Sequence, residues 1–342
     1  VNEPVSPLDP EISAEVLTMI AKWRRPLLLS HTKPDGDAIG ALTAMRSFFR
    51  ARGVEPLAVQ FDPTPPRYRA LRQGEPIPVL DRDAGLQELA DVDGVVVLDT
   101  CTYNQLAPVE EWLKASPVPK LVIDHHVTRD DLADVYLIDD TAASTCLILY
   151  EWARQLDLPL NDEVCRSLFV GIATDTGWFR HANTDARTLH AAAELAERGV
   201  DVHDMFRQLY QADSEARLRI AARLLDSMEL YAQSRLAVIS IGEQTIDQLG
   251  GRMSDTEDMI NEPLRIRSVQ VSVMLVEQHE GPIRASFRSK PPINEHETDV
   301  DVAAVAQHFG GGGHRRASGA RIPGTLAEVR SKVVGYLQEI LQ

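Results

Sequence analysis

The chain has 342 residues, 44% of them hydrophobic and 25% charged, the profile of a globular protein long enough for two domains. No apolar run approaches the ~20 residues that a membrane span requires, and the N-terminus lacks the basic-then-apolar pattern of a secretion signal. A formal charge of −16 excludes a general polyanion binder, which would be basic. Any phosphate-bearing ligand should therefore be short and held by a local basic patch, not by a track for long nucleic acid.

Residues 1–10, with Pro4, Pro7 and Pro10, read as a loose lead-in. Val16, Met19 and Ile20 give Glu11 to Lys22 a helical spacing. Leu27-Leu28-Leu29-Ser30-His31 reads as a strand, broken by the turn residues Pro34-Asp35-Gly36-Asp37. The spacing of Ile39, Leu42, Met45 and Phe49 predicts a helix from about Ala38, stopped by Gly53, and Glu55 to Phe61 can form the next strand. After a loop around Pro63, Pro65 and Pro66, Gly94 to Leu98 is a buried strand ending at Asp99, and Lys120 to Ile123 is another ending at Asp124-His125-His126. Helices are expected over Ala142 to Gln155, entered through Thr141, and over Glu163 to Ala173, running into Thr174-Asp175-Thr176-Gly177.

Thr184 to Leu230 reads as a charged helical connector. Strands then follow at Arg235 to Ile241, Val269 to Val276 and Ile283 to Phe287, the last two joined across Glu280-Gly281. A helix over Val302 to Phe309 stops at Gly310-Gly311-Gly312-Gly313-His314, and a last helix covers about Leu326 to Leu341. The fold class is therefore α/β: a parallel-sheet N-terminal domain (1–187), a helical connector (188–233) and a smaller α+β C-terminal domain (234–342). Cys101, Cys146 and Cys165 are odd in number and form no C-x-x-C pair. That argues against a disulfide framework or a zinc knuckle and suits a reducing cytoplasm.

Four polar clusters end apolar runs: His31 with Asp35 and Asp37; Asp99; Asp124-His125-His126; and Asp175. Singly, each has a plain explanation. Pro-Asp-Gly-Asp is common turn chemistry, Asp37 could cap its helix, and a strand-end acid is usually solvated. Together they would have to collect at the carboxyl end of one sheet by accident, which is where an open α/β sheet binds its ligands. Carboxylate oxygen with imidazole nitrogen suits manganese, with magnesium, cobalt, zinc or iron as alternatives. A single carboxylate such as Asp99 can bridge two cations. Adjacent imidazoles point in different directions, so one of His125 and His126 can bind metal while the other faces substrate, with Asp124 orienting a ring.

The run Gly310 to Gly313 followed by His314, Arg315 and Arg316 exposes backbone N–H groups and cationic side chains suited to phosphate. From Arg284 to Arg321 there are six basic residues against four acidic ones, a local excess that supports a phosphate grip within an acidic chain.

His31-Thr32-Lys33-Pro34-Asp35-Gly36-Asp37, Leu98-Asp99, Asp124-His125-His126 and Thr174-Asp175-Thr176-Gly177 together resemble, in order, the four motifs of the DHH phosphoesterase family. Arg284 to Ser289 and Phe309 to Gly319 resemble its DHH-associated C-terminal domain, with Ser318 where a second Ala is frequent and Arg315 where Lys is frequent. Within that family the chain is most similar to nanoRNase A-type enzymes, bifunctional oligoribonucleases and 3′-phosphoadenosine-5′-phosphate phosphatases, with cyclic-dinucleotide-related phosphodiesterases close by.

The resemblance implies that His31, Asp35 and Asp99 hold one Mn2+ while Asp37, Asp99, His125 and Asp175 hold the other, with Asp99 bridging. Asp124 and His126 join Asp99 as catalytic residues, His126 facing the scissile phosphate. Arg288, Gly311, Gly312, Gly313, His314 and Arg315 bind the substrate. The expected activity is two-metal hydrolysis of a short RNA or nucleotide phosphate in the cytoplasm, without membrane, and with a homodimer left open. A cyclic-dinucleotide-related (c-di-AMP/pApA) phosphodiesterase, a manganese-type inorganic pyrophosphatase and, outside enzymes, a nucleotide-binding sensor are the alternatives.

Overall fold

Three apolar runs, Leu27-Leu28-Leu29, Val95-Val96-Val97-Leu98 and Leu121-Val122-Ile123, are buried on both faces, a demand that a parallel sheet covered on each side satisfies. A computed structural model describes residues 8–68, 75–278, 281–294 and 297–341 and divides into two units, 1–212 and 213–342. Pro4 and Pro7 of the expected lead-in and Glu280 of the expected hairpin turn lie outside the described residues.

The first unit opens with α1 (Pro10–Ile20), β1 (Pro26–Ser30), α2 (Gly36–Arg50), β2 (Leu57–Ala58) and β3 (Gly94–Leu98). It continues through α3 (Glu110–Ala115), β4 (Lys120–Asp124), β5 (Val135–Ile138), α4 (Thr145–Gln155), α5 (Asp162–Asp175), α6 (Ala186–Glu197) and α7 (Val202–Tyr210). The sheet order is β2-β1-β3-β4-β5, and every pairing is parallel. Ser30 lies opposite Leu98, and Leu98 opposite Ile123. The next residues, His31, Asp99 and Asp124, therefore leave three neighbouring strands at one edge. One face of the sheet packs against α2, α4 and α5 through residues such as Ile39, Leu42, Cys146, Leu168 and Phe169; the other packs Leu89, Leu106, Val109 and Leu113.

Helix α2 is buried along almost its whole length. Small residues make this workable: Gly36, Ala38, Gly40, Ala41 and Ala44 let neighbouring backbone come close. The helix begins two residues earlier than its periodicity predicts, and its cap is Asp35, whose carboxylate accepts the N–H groups of Asp37 and Ala38 at 3.0 and 3.1 Å. Asp37 is thus freed from capping. The strand expected over Glu55 to Phe61 shortens to Leu57–Ala58, and β5 lies where no strand is predicted. Helix α4 starts at Ser144, not Thr141: the Ser144 hydroxyl accepts from Leu147 N–H, whereas Thr141 is held in a turn on Asp139.

The second unit comprises α8 (Glu215–Asp226), β6 (Glu229–Tyr231), β7 (Leu236–Gly242), α9 (Glu243–Gln248), β8 (Val271–Glu277), β9 (Ile283–Ser289), α10 (Val302–His308), β10 (Gly312–His314), β11 (Ala317–Ile322) and α11 (Leu326–Ile340). Its sheet runs β10-β11-β9-β8-β7-β6 and is antiparallel except for β7 and β8. The connector expected over 188–233 contains α6 and α7 in the first unit, then α8 and strand β6 in the second. In β9, Ile283, Ala285 and Phe287 point into the core with α10 and α11, while Arg284, Ser286 and Arg288 take the opposite face. Among the described residues no helix is long and apolar enough to cross a membrane.

Candidate metal centre

The edge of the first sheet gathers every predicted ligand. His31 follows β1, Asp99 follows β3, His125 and His126 follow β4, Asp35 and Asp37 open α2, and Asp175 closes α5. Ligand atoms within 4.8 Å of one another form three overlapping sets: His31, Asp35 and Asp99; Asp37, His125 and Asp175; and Asp99, His125 and His126.

Asp99 is central to these sets. Its Oδ2 lies 3.3 Å from His31 Nε2, and its Oδ1 lies 3.5 Å from His125 Nε2. His31 Nε2 is also 3.9 Å from Asp35, and His125 Nε2 is 3.3 Å from Asp175. Asp99 adopts a left-handed backbone (φ 62°), which Asp tolerates better than most residues. Such a departure in a buried residue at a polar cluster is the kind of strain that function retains.

The two imidazoles are pre-set. His31 Nδ1 lies 2.8 Å from the Thr32 carbonyl, and His125 Nδ1 lies 3.3 Å from the Ala142 carbonyl. A carbonyl only accepts, so Nδ1 is the donor in each ring and Nε2 is the nitrogen turned towards the carboxylates. Burial, then the charges of Asp37 and Asp35, push Asp99 well above the usual carboxylate range; burial, then Asp37 and Asp99, do the same to Asp175. The donor set fits divalent cations: the carboxylate oxygens suit manganese or magnesium, and the imidazole nitrogens suit first-row transition ions such as iron or zinc.

Asp37 is held from behind. The N–H groups of Thr145 and Cys146, in the first turn of α4, donate to its two oxygens at 2.6 and 2.9 Å, where the helix dipole favours negative charge. Thr145 Oγ1 also donates to Asp99 at 3.0 Å. Gly171 of α5 permits the approach: a Cβ there would meet Cys146 Sγ at 2.2 Å and Asp37 Oδ1 at 2.6 Å. Asp124 is fully buried; its Oδ1 accepts the His125 N–H at 2.8 Å and faces His126 Nδ1 at 2.7 Å, while its Oδ2 has no hydrogen-bond partner among the described residues. His126 is consequently fixed with its outer ring edge exposed, and the hydrogen bond to Asp124 raises its affinity for a proton. Asp175 is followed by a left-handed run, Gly177, Trp178 and Phe179 (φ 56°, 60° and 63°), braced by Trp178 against Phe169, Phe206 and Tyr210.

The predicted substrate residues lie in the second unit. Arg288 is opposite Ala317, and Ala317 is opposite His314, so Arg288 and His314 share one face across three strands. Gly312, opposite Gly319, lies on the same face, leaving a floor of small residues beside Arg288 and His314. Gly311 N–H is engaged by the Ala306 carbonyl at 2.8 Å, and Gly313 (φ 140°) lies in edge strand β10. Burial disfavours charge on the Arg288 guanidinium, only partly offset by Asp258. Arg315 is ion-paired to Asp299 and faces Asp301, and Arg316 is committed to the carbonyls of Lys290 and Val300, at 3.2 Å each, and to Asp299. Sequence reasoning does not find Thr145 or the α4 N-terminus, because their role follows from the packing of α4 on α2, which no local pattern announces.

Residues 27–172 match the DHH family, N-terminal domain, and residues 234–342 match the DHHA1 domain. The chain is 26% identical over 316 residues to the bifunctional oligoribonuclease and PAP phosphatase NrnA of Bacillus subtilis, covering 91% of this chain and 93% of that protein. It is 27% identical over 318 residues to the protein of the same name from Thermus thermophilus, covering 92% and 89%. A crystal structure of an exopolyphosphatase-related protein from Bacteroides fragilis superposes with a TM-score of 0.87 over 99% of both chains at 25% identity. The manganese-bound exonuclease RecJ shares the fold at a TM-score of 0.54 and 17% identity, over 97% of this chain and 96% of RecJ. With both domains matched in order, the chain belongs to the DHH family, as a DHH N-terminal domain followed by a DHHA1 domain.

Proposed function

We propose that the chain is a metal-dependent phosphoesterase that hydrolyses short oligoribonucleotides to mononucleotides, and 3′-phosphoadenosine-5′-phosphate to AMP, using two divalent cations, manganese foremost. The observation that carries this reading is Asp99: its two oxygens address two different imidazoles, His31 and His125, whose Nε2 atoms are 3.3 and 3.5 Å away. His31, Asp35 and Asp99 would hold one cation, and Asp37, Asp99, His125 and Asp175 the other. Two such cations supply Lewis-acid polarisation of a phosphoryl group and an activated water. The relatives' names support the substrate class, both being called oligoribonuclease and PAP phosphatase.

The chain's own residues do the rest. Asp124 fixes the His126 ring through Nδ1 and favours its protonated form, in which the Nε2–H can donate to a phosphoryl oxygen of the substrate. Thr145 and the α4 N-terminus keep Asp37 and Asp99 oriented. Arg288, His314 and the glycines around them suit a terminal phosphate and nucleotide, a short-range grip consistent with a net charge of −16. Arg315 would reach the substrate only by leaving Asp299.

The test compares initial rates with manganese on RNAs of two to five nucleotides, the adenosine bisphosphate, cyclic dinucleotides and pyrophosphate. Dinucleotide RNA and the bisphosphate are expected to be the fastest substrates. Pyrophosphate turning over fastest, or tight nucleotide binding without hydrolysis, would overturn the proposal in favour of a pyrophosphatase or a sensor.

A further inference from the structure

Between β5 and α4, residues 139–144 contain no proposed ligand, yet they support several. The Ala142 carbonyl orients His125, and the first turn of α4 immediately afterwards holds Asp37 and Asp99. Irregular backbone of this kind keeps its shape only if something pins it, and two side chains from the short segment between α5 and the start of α6 do so.

Arg187, in the first turn of α6, forks onto both carboxylate oxygens of Glu151 on α4. The same guanidinium donates through Nη2 to Asp139 Oδ2 at 2.7 Å and through Nη1 to Thr141 Oγ1 at 3.4 Å. The other oxygen of Asp139 accepts from the Thr141 N–H at 3.0 Å and its hydroxyl at 2.6 Å. Four residues earlier, Asn183 Nδ2 donates to the Ala143 carbonyl at 3.1 Å and the Asp175 carbonyl at 3.3 Å, tying the loop to the end of α5. The Arg187, Asp139 and Glu151 side chains are only 16%, 11% and 9% exposed, so the fork is shielded from water and held in one geometry. A lysine could match the charge but not the simultaneous grip on Glu151, Asp139 and Thr141.

We propose that Arg187 and Asn183 are positioning residues that pre-set the 139–146 segment, and through it His125, Asp37 and Asp99, to receive divalent cations. The inference rests on the cation site proposed above. Their bonds run to the backbone of Ala143 and Asp175 and to Asp139, Thr141 and Glu151, so they act through the 139–144 backbone, the end of α5 and the α4 N-terminus. Loss of such supporting partners typically weakens metal affinity 10–100-fold.

The experiment titrates manganese calorimetrically into the 342-residue chain and its variants R187Q/E151Q, R187K and N183A, with circular dichroism and melting curves reporting the fold. The double variant removes the cation together with one of the two carboxylates it grips. Its manganese affinity is expected to fall ~10–100-fold while it stays folded. N183A is expected to lose roughly fivefold, the value of a neutral hydrogen bond. In both, turnover at saturating manganese should recover towards that of the parent, with the half-saturating concentration shifted. Folded variants that bind manganese as tightly as the parent overturn the proposal. If the double variant does not fold, R187K and N183A decide by the same criterion. If the parent itself binds no manganese, the cation site fails and the brace falls with it.

Discussion

Asp99 carries conflicting demands in one side chain. The proposed two-cation catalysis asks for a charged carboxylate shared between both centres; the fold buries it beside Asp37, Asp35 and Asp124, so the charged form is disfavoured when no cation is bound. Asp99→Asn should therefore move activity and stability in opposite directions. Turnover with manganese should drop by at least ~100-fold, more than is typical for an outer partner. Melting temperature in chelator should stay level or rise by ~2–4 °C, about 1 kcal/mol for a domain of this size. The amide can still accept from Thr145, which lies 3.0 Å away. Near-normal turnover would remove Asp99 from its bridging role, and a large fall in chelator stability would show that the carboxylate serves the fold instead. The ligand candidates are legible in sequence because each ends an apolar run, so strand register alone brings His31, Asp99 and Asp124 into line. The supporting residues are not. Thr145, Asn183 and Arg187 lie on elements whose approach to the site depends on helix packing.

At the scale of elements, the site depends on how closely α2, α4 and α5 approach one another. Gly171 is the contact that allows it, since a Cβ would collide with both Cys146 Sγ and Asp37 Oδ1. Gly171→Ala is expected to cost ~1–3 kcal/mol by overpacking and to weaken manganese binding by displacing Asp37. Gly335→Ala, in α11 with nothing within 4 Å of its added Cβ, should instead stabilise by ~0.5–1 kcal/mol and leave metal binding unchanged. Denaturant unfolding and manganese titration of the two variants check both signs; a Gly171→Ala protein with parental stability and affinity would remove the packing argument.

The same physics explains which elements could be read in advance. Strands β1, β3 and β4 are continuous buried runs and stand out. Strand β5, Val-Tyr-Leu-Ile, has only Leu137 fully buried, and β11, Ala-Ser-Gly-Ala-Arg-Ile, is poor in strand formers and is recruited by pairing with β9. Thr141 reads as a helix cap but bonds to Asp139, a local competition that hydrophobic spacing does not register.

At the scale of the molecule, each of the four hydrophobic clusters among the described residues falls within one unit: two use residues up to Leu209, and two use residues from Ile220 onwards. Each unit also completes its own sheet. Stability should therefore be divisible, and every proposed cation ligand belongs to the first share. Calorimetric unfolding in chelator is expected to give two transitions. Manganese at about 100 times its dissociation constant should stabilise the first unit by ~2.7 kcal/mol, moving its transition up by ~5–10 °C and leaving the other in place. Asp99→Asn should abolish that shift without merging the transitions. A single transition that rises as a whole with manganese would mean that the two units unfold together, and the assignment of metal-linked stability to residues 1–212 would then be wrong.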